Sequence, residues 1–267
     1  MPDLSEPVGI LSVASATHRG YRRAVNEDCL LVGERVLNGD FESWAQDFPV
    51  GPGIIPLVIA DGLGGHRGGR IASGFVINEL TVKFREIRSS ETTSFSDLIN
   101  GVSSGLIGLM EGDPHVAGMG STVVLVCVEQ STLTFVNVGD SRAYFFDRGQ
   151  LIQISVDDVP EPKAGPKVGP RSAAITQALG GSASRQKTVV PHVRSFELPM
   201  REWSLLLCSD GISDFISDSE LPEVFDGNKV DVIPLVDRAL ATGGLDNISI
   251  IAASFRPLTR SRTPRIT

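Results

Sequence analysis

The 267-residue sequence has little of what soft-metal or thiol chemistry needs. Its three cysteines, Cys29, Cys127 and Cys208, form no CxxC pair, and its four histidines give no HxxxH; a zinc site of sulfur and imidazole is therefore disfavoured. Each cysteine sits in an apolar, strand-like run, which predicts buried thiols in a reducing compartment. None is followed by a glycine/arginine loop of the kind that cradles phosphate for a nucleophilic thiolate. Basic charge is also short. With 24 Lys and Arg against 32 Asp and Glu, the net charge is -8, which argues against a nucleic-acid partner and an anionic membrane surface. No apolar run approaches the roughly 20 residues that cross a bilayer. The first residues lack the basic segment and long apolar core of a secretory leader. The expectation is a cytoplasmic protein with no membrane insertion, and no internal repeat is evident.

What remains is ordinary in bulk: 41% hydrophobic and 21% charged residues, with enough chain to bury a sizeable core. Strands are expected at 8–16, 29–32 and 54–60, and helices at 68–88 and 94–110. Four strands within 121–154, separated by turn signals at Gln130-Ser131, Gly139-Asp140 and Arg148-Gly149, predict an antiparallel meander. A short helix is expected at 173–179, strands at 189–198 and 204–208, one or two helices within 212–241, and a closing strand at 248–255. Glycine, proline and scattered aromatics mark 38–53 as an irregular loop. Four prolines exclude regular structure from 157–171, and 256–267 reads as a basic, disordered tail. Helices set between runs of strands predict an α+β fold, with two packed antiparallel sheets flanked by helices.

The acids carry the chemistry. Asp61 is delivered by the apolar run Leu57-Val58-Ile59-Ala60 to the turn Gly62-Leu63-Gly64-Gly65-His66, where nothing bulky covers it. Leu206-Leu207-Cys208-Ser209-Asp210-Gly211 repeats that design, and Val138-Gly139-Asp140-Ser141 and Gly243-Gly244-Leu245-Asp246-Asn247 vary it. Glu27 and Asp28 add two more oxygen donors. Carboxylate, carbonyl and water suit Mg, Ca and Mn, and so many acids at one site repel unless cations neutralise them. Two cations roughly 3.5–4 Å apart can activate a water for displacement at phosphorus. Taken singly, an Asp-Gly is a turn, Asp246-Asn247 an Asx-turn, and Glu27-Asp28 a solvated loop. Their joint occurrence, each beside an apolar strand, makes one oxygen-lined metal centre the stronger reading.

Six motifs follow in order: Arg23-Ala24-Val25-Asn26-Glu27-Asp28, Asp61-Gly62-Leu63-Gly64-Gly65-His66, Gly118-Met119-Gly120-Ser121-Thr122, Gly139-Asp140-Ser141-Arg142-Ala143-Tyr144, Cys208-Ser209-Asp210-Gly211 and Gly244-Leu245-Asp246-Asn247-Ile248. Over about 11–253 the chain resembles bacterial members of the metal-dependent protein serine/threonine phosphatases, the PPM or protein phosphatase 2C family. The resemblance implies a single four-layer α/β/β/α sandwich over 1–255. It implies hydrolysis of phosphoserine and phosphothreonine by direct attack of a metal-activated water, without a phosphoenzyme, in bacterial signalling.

Position by position, the resemblance makes Asp61 the acid bridging two core Mn2+ or Mg2+ ions, with the Gly62 carbonyl beside it. Glu27, Asp210 and Asp246 match the other core ligands, and Asp28 an acid holding a metal-bound water. Asp140, with Asp210, matches the holder of a weaker third cation, and Arg23 the phosphate-gripping arginine. Phosphoprotein substrates, an opposing Ser/Thr kinase and a monomeric state follow from the same likeness. A pseudophosphatase that only binds phosphoproteins and a hydrolase of small phosphate esters are the competing readings. The chain departs from the family at Ile154-Ser155-Val156-Asp157-Asp158, where an Asp-His-Ser sequence is common, and its flap equivalent, 156–174, is short and rich in proline.

Overall fold

A computed structural model describes residues 6–64, 68–87, 93–160, 174–180, 188–226 and 229–258. Fifteen strands and four α-helices are found among them. In chain order the strands are β1 (Gly9–His18), β2 (Asp28–Val32), β3 (Arg35–Leu37), β4 (Phe41–Val50) and β5 (Ile55–Leu63). They continue with β6 (Gly120–Ser121), β7 (Val123–Val128), β8 (Thr132–Val138), β9 (Arg142–Asp147), β10 (Gln150–Gln153), β11 (His192–Glu197) and β12 (Trp203–Cys208). A two-stranded ribbon, β13 (Phe225–Asp226) and β14 (Lys229–Val230), precedes the closing strand β15 (Ile248–Pro257). The helices are α1 (Gly68–Glu86), α2 (Phe95–Gly112), α3 (Asp210–Ser213) and α4 (Ile233–Ala241). No helix of the described residues is long and apolar enough to cross a membrane.

One sheet runs β10-β9-β12-β15-β1-β4, and the other runs β11-β8-β7-β5-β2-β3, with β6 on β5. All recorded pairings are antiparallel. The central strands read as unbroken apolar runs because both their faces are covered. In β5, Leu57 and Ile59 enter the core between the sheets, while Val58 and Ala60 pack under α1 and α2. In β12, Leu205 and Leu207 join that inner core, while Leu206 and Cys208 pack towards α4 and the β13–β14 ribbon. Three cores separated by two sheets make four layers, the α/β/β/α sandwich expected from the family likeness.

The helices form where apolar residues recur on one face. Ala72, Val76, Ile77 and Leu80 are the buried stripe of α1. In α2 the stripe is Ile99, Val102 and Leu106, and Ser94 caps its start by accepting from Asp97 N.

Four expectations need correction. Residues 38–53 are no irregular loop: most of the segment is β4, a ten-residue edge strand paired along its length with β1. Trp44 and Phe48 turn inward onto the sheet core, and Pro49 is tolerated because an edge strand leaves one side of its backbone unpaired. The stretch 121–154 is no single meander. β7 pairs with β8 and β9 with β10, but β8 and β9 lie in different sheets, because Gly139 at φ 100° turns the chain across the sandwich.

Residues 174–180 hold no helix, for Leu179 is bridged to Ser121 instead. The stretch 212–241 holds the expected helices, the end of α3 and all of α4, with a 3-10 turn at Leu221–Val224 and the small ribbon between them. Finally, β15 reaches Pro257, and Leu258 N donates to Val8 O at 2.9 Å, so the predicted tail begins later than 256. Residues 259–267, 161–173 and His66 lie outside the described residues.

Candidate metal centre

The sequence-predicted acids arrive at one end of the sandwich from both sheets. Asp28 opens β2, and Asp61 lies directly across from it in β5. Asp140 sits in the crossover from β8 to β9, Asp210 is the first residue of α3 after β12, and Asp246 precedes β15. Glu27 adjoins Asp28. Their convergence shows in the electrostatics. The Asp61 carboxyl is held well above its ordinary range by burial and by the charges of Asp28, Asp210, Asp140 and Asp246. Asp210 is raised by burial and by Asp246, Asp140, Asp28 and Asp214. Asp28 is pushed to about 6, mainly by burial.

Backbone approach is what lets the acids gather. A Cβ on Gly62 would lie 2.1 Å from Gly69 O, and one on Gly69 would lie 2.5 Å from Glu27 Oε1. Only two glycines allow the start of α1 to close against the end of β5 and against Glu27. Gly62 N also donates to Glu27 O at 3.2 Å, and Ser73 Oγ to the same carbonyl at 2.5 Å.

Polar side chains from the same motifs, whose hydrogen-bond partners the sequence did not show, lock the acids in place. Asn247 Oδ1 accepts from Glu27 N at 2.9 Å, while its Nδ2 donates to Arg19 O and Val25 O. That one amide ties the start of β15 to the loop carrying Arg23 and Glu27. Ser209 Oγ donates to Asp28 Oδ2 at 3.0 Å and accepts from Ser249 N. Thr122 Oγ1 accepts from Asp61 N at 3.2 Å and shares a 2.8 Å hydrogen bond with Ser141.

Asp158 has a similar role beside Asp140. Its Oδ2 accepts from Gly139 N at 2.9 Å, and its Oδ1 meets Gln177 Nε2 and His192 Nε2, each at 2.9 Å. Asn-Glu-Asp and Asp-Asn were visible in the sequence as motifs; the partners of Asp158 are remote in sequence and left no local signal.

Arg23 stands half exposed at the rim. Its Nη2 donates to Asp246 Oδ2 at 2.6 Å, and Nη1 lies 4.0 Å from Glu27 Oε2. The hydrogen bond to Asp246 raises its already high pKa. Cys29 and Cys127 offer no rival chemistry, since burial pushes the first up to about 12 and the second well above its ordinary value.

These residues fit a hard divalent cation. The donor set is oxygen throughout. Asp28 Oδ1 is buried with no donor group on it, and Asp61 faces Asp28 across the β2–β5 ladder. Two such carboxylates share that space only through a proton or a cation. Among the described residues no three His, Cys, Asp or Glu side chains close into a finished cage, so the acids are gathered rather than clamped.

A family model described as protein phosphatase 2C matches residues 43–243. The chain is 29% identical over 260 residues to the serine/threonine protein phosphatase PstP of Mycobacterium tuberculosis, covering 91% of this chain and 45% of that protein. It therefore spans less than half the length of that relative. To the serine/threonine phosphatase stp of Listeria monocytogenes it is 30% identical over 256 residues, covering 88% of this chain and 92% of the relative. Among solved structures, the PstP catalytic domain in complex with two manganese ions superposes with a TM-score of 0.73 at 27% identity, covering 93% of this chain and 99% of that one.

Proposed function

The chain belongs to the protein phosphatase 2C family, and on that premise we propose that it hydrolyses phosphoserine and phosphothreonine in proteins with the help of Mn2+ or Mg2+. The observation that carries the reading is the mutual repulsion of Asp28, Asp61, Asp140, Asp210 and Asp246 at one end of the sandwich, a charge cluster that calls for divalent cations. Glu27, Asp61, Asp210, Asp246 and the Gly62 carbonyl are the residues to hold two core ions, and Asp140 with Asp210 a weaker third. Such ions, when bound, supply an acidified water and neutralise phosphoryl oxygens.

The protein's own side chains do the rest. Arg23 is placed to grip the phosphoryl group, because a guanidinium meets phosphate oxygens as a planar fork. Asp28, fixed by Ser209, is placed to accept a proton from water. Ser141, Ser209 and Thr122 are engaged with one another, with Asp28 or with backbone, which supports attack by water over a phosphorylated serine or threonine. We place the protein in the cytoplasm as a monomer, opposed by a Ser/Thr kinase.

Turnover of p-nitrophenyl phosphate with Mn2+, lost on adding EDTA, is the expected result; EDTA-insensitive turnover or none would sink the reading. Phosphopeptides should be cleaved faster than free phosphoserine, and the reverse order would point to small esters.

A further inference from the structure

Three rings line up on the surface beside Arg23. His18 ends β1, and its register partner is Phe41, the first residue of β4; their ring centroids lie 5.5 Å apart. On the other side Tyr21 meets His18 edge-on at 6.0 Å. Tyr21 is 66% exposed and Phe41 58%, among the most exposed large apolar side chains described, and Leu245 next to Asp246 is 46% exposed.

The row is built rather than incidental. Tyr21 N donates to Gly244 O at 2.7 Å, and its ring covers Gly244, where a Cβ would come within 2.9 Å of Cδ2. Of the aromatics on β4, Trp44 and Phe48 pack inward, whereas Phe41 turns out to meet His18. The ion pair Arg19–Asp40, at 3.4 Å, spans the same two chain segments and balances its own charge. His18 Nδ1 accepts from Gly20 N at 2.8 Å, which uses the lone pair a second proton would need. Burial also holds that imidazole below its usual pKa, so the row is uncharged at neutral pH. Single exposed apolar residues are commonplace, but this row is tied to the Arg23 end of the acidic site, because Tyr21 is held on Gly244 and the two lie two residues from the paired Arg23 and Asp246, on a protein of net charge -8.

We propose that Tyr21, His18 and Phe41, with Leu245, form a lip that receives an apolar side chain of the phosphoprotein a few residues from the phosphorylated one. The proposal rests on the phosphatase reading and names a substrate feature within it. The ring spacings of 5.5 and 6.0 Å each correspond to about two residues of an extended peptide, which advances about 3.3 Å per residue. Aromatic faces with no net charge favour a leucine-like side chain over a charged one.

The test uses Mn-loaded protein and phosphothreonine peptides that differ only in carrying Leu or Ser two, three or four residues to either side. kcat/KM is measured, with fluorescence-polarisation binding of the same peptides in parallel. At one position Leu should be preferred about tenfold, the effect of half-burying one such side chain. The preference should fall towards one in Phe41→Ser and in Tyr21→Ser. Equal values for Leu and Ser at every position, or a preference surviving both substitutions, would overturn the lip. Failure to cleave p-nitrophenyl phosphate would instead remove the phosphatase reading, and the binding preference would still decide the lip.

Discussion

Asp28 and Asp61 lie directly opposite one another across β2 and β5, two acids at facing positions of one ladder, where like charges destabilise. Asp61→Asn removes that repulsion together with a central candidate ligand. Turnover of p-nitrophenyl phosphate should drop by at least about a thousandfold, since a metal-made nucleophile supplies much of such a rate enhancement. In EDTA, however, the variant should melt higher than the parent, by about 2–4 °C for each kcal/mol of strain relieved. Calorimetry showing a lower melting temperature would contradict the repulsion.

Protons should compete with cations for the same acids. Asp28 is raised to about 6 in the fold, above its unfolded value of about 3.9, and Asp61 and Asp210 shift the same way. Between about pH 4 and pH 6 the folded state then binds more protons than the unfolded one, so this contribution to stability declines as pH rises through that window. Metal-free protein should lose melting temperature between about pH 4 and pH 6 more steeply than Asp28→Asn does. Mn2+ affinity, read by calorimetric titration, should strengthen over the same interval because bound protons must leave.

Arg23→Lys should behave as a substantial lesion. The planar fork that pairs with Asp246 and is proposed to grip phosphate cannot be reproduced by a point-like ammonium. A rise in KM of about tenfold for phosphopeptides is expected, and inorganic phosphate should inhibit the variant less well than the parent.

Asp158→Ala strips the acceptor from Gly139 N, Gln177 and His192 at once. Losing these buried hydrogen bonds should cost about 2–3 kcal/mol, visible as a melting temperature about 5–10 °C lower. His192→Ala, which removes one partner only, should cost less. Equal stability of Asp158→Ala and the parent would show that the turn before Asp140 is held by other contacts.

Two glycine substitutions should move in opposite directions. Gly62→Ala drives a methyl to 2.1 Å from Gly69 O, which forces α1 off β5 and should cost about 3 kcal/mol. Gly74, inside α1, has nothing within 4 Å of a Cβ, and Gly74→Ala should stabilise by about 1 kcal/mol through helix propensity alone. Chemical denaturation of both variants checks the pair.

The layers and the acids were legible in the sequence for a common reason. Strands covered on both faces must be apolar throughout, as at Leu57–Ala60 and Leu205–Cys208, and an acid set at the end of such a run stands out. β4 was hidden because its edge position admits Pro49, Asp47 and Glu42, so its composition imitates a loop. The switch of sheets at Gly139 was hidden because a tight turn and a crossover use the same residues. The partners of Asn247, Ser209 and Asp158 depend on packing between distant segments, which no local pattern encodes.

The glycine contact between β5 and α1 keeps the acidic pit open whether or not its charges are useful there. Replacing Asp28, Asp61 or Asp210 by a neutral side chain should leave the bare scaffold easier to keep folded, so drift towards an inert phosphoprotein reader runs downhill in folding free energy. Catalysis in such a scaffold persists only while selection and a supply of divalent ions oppose that slope.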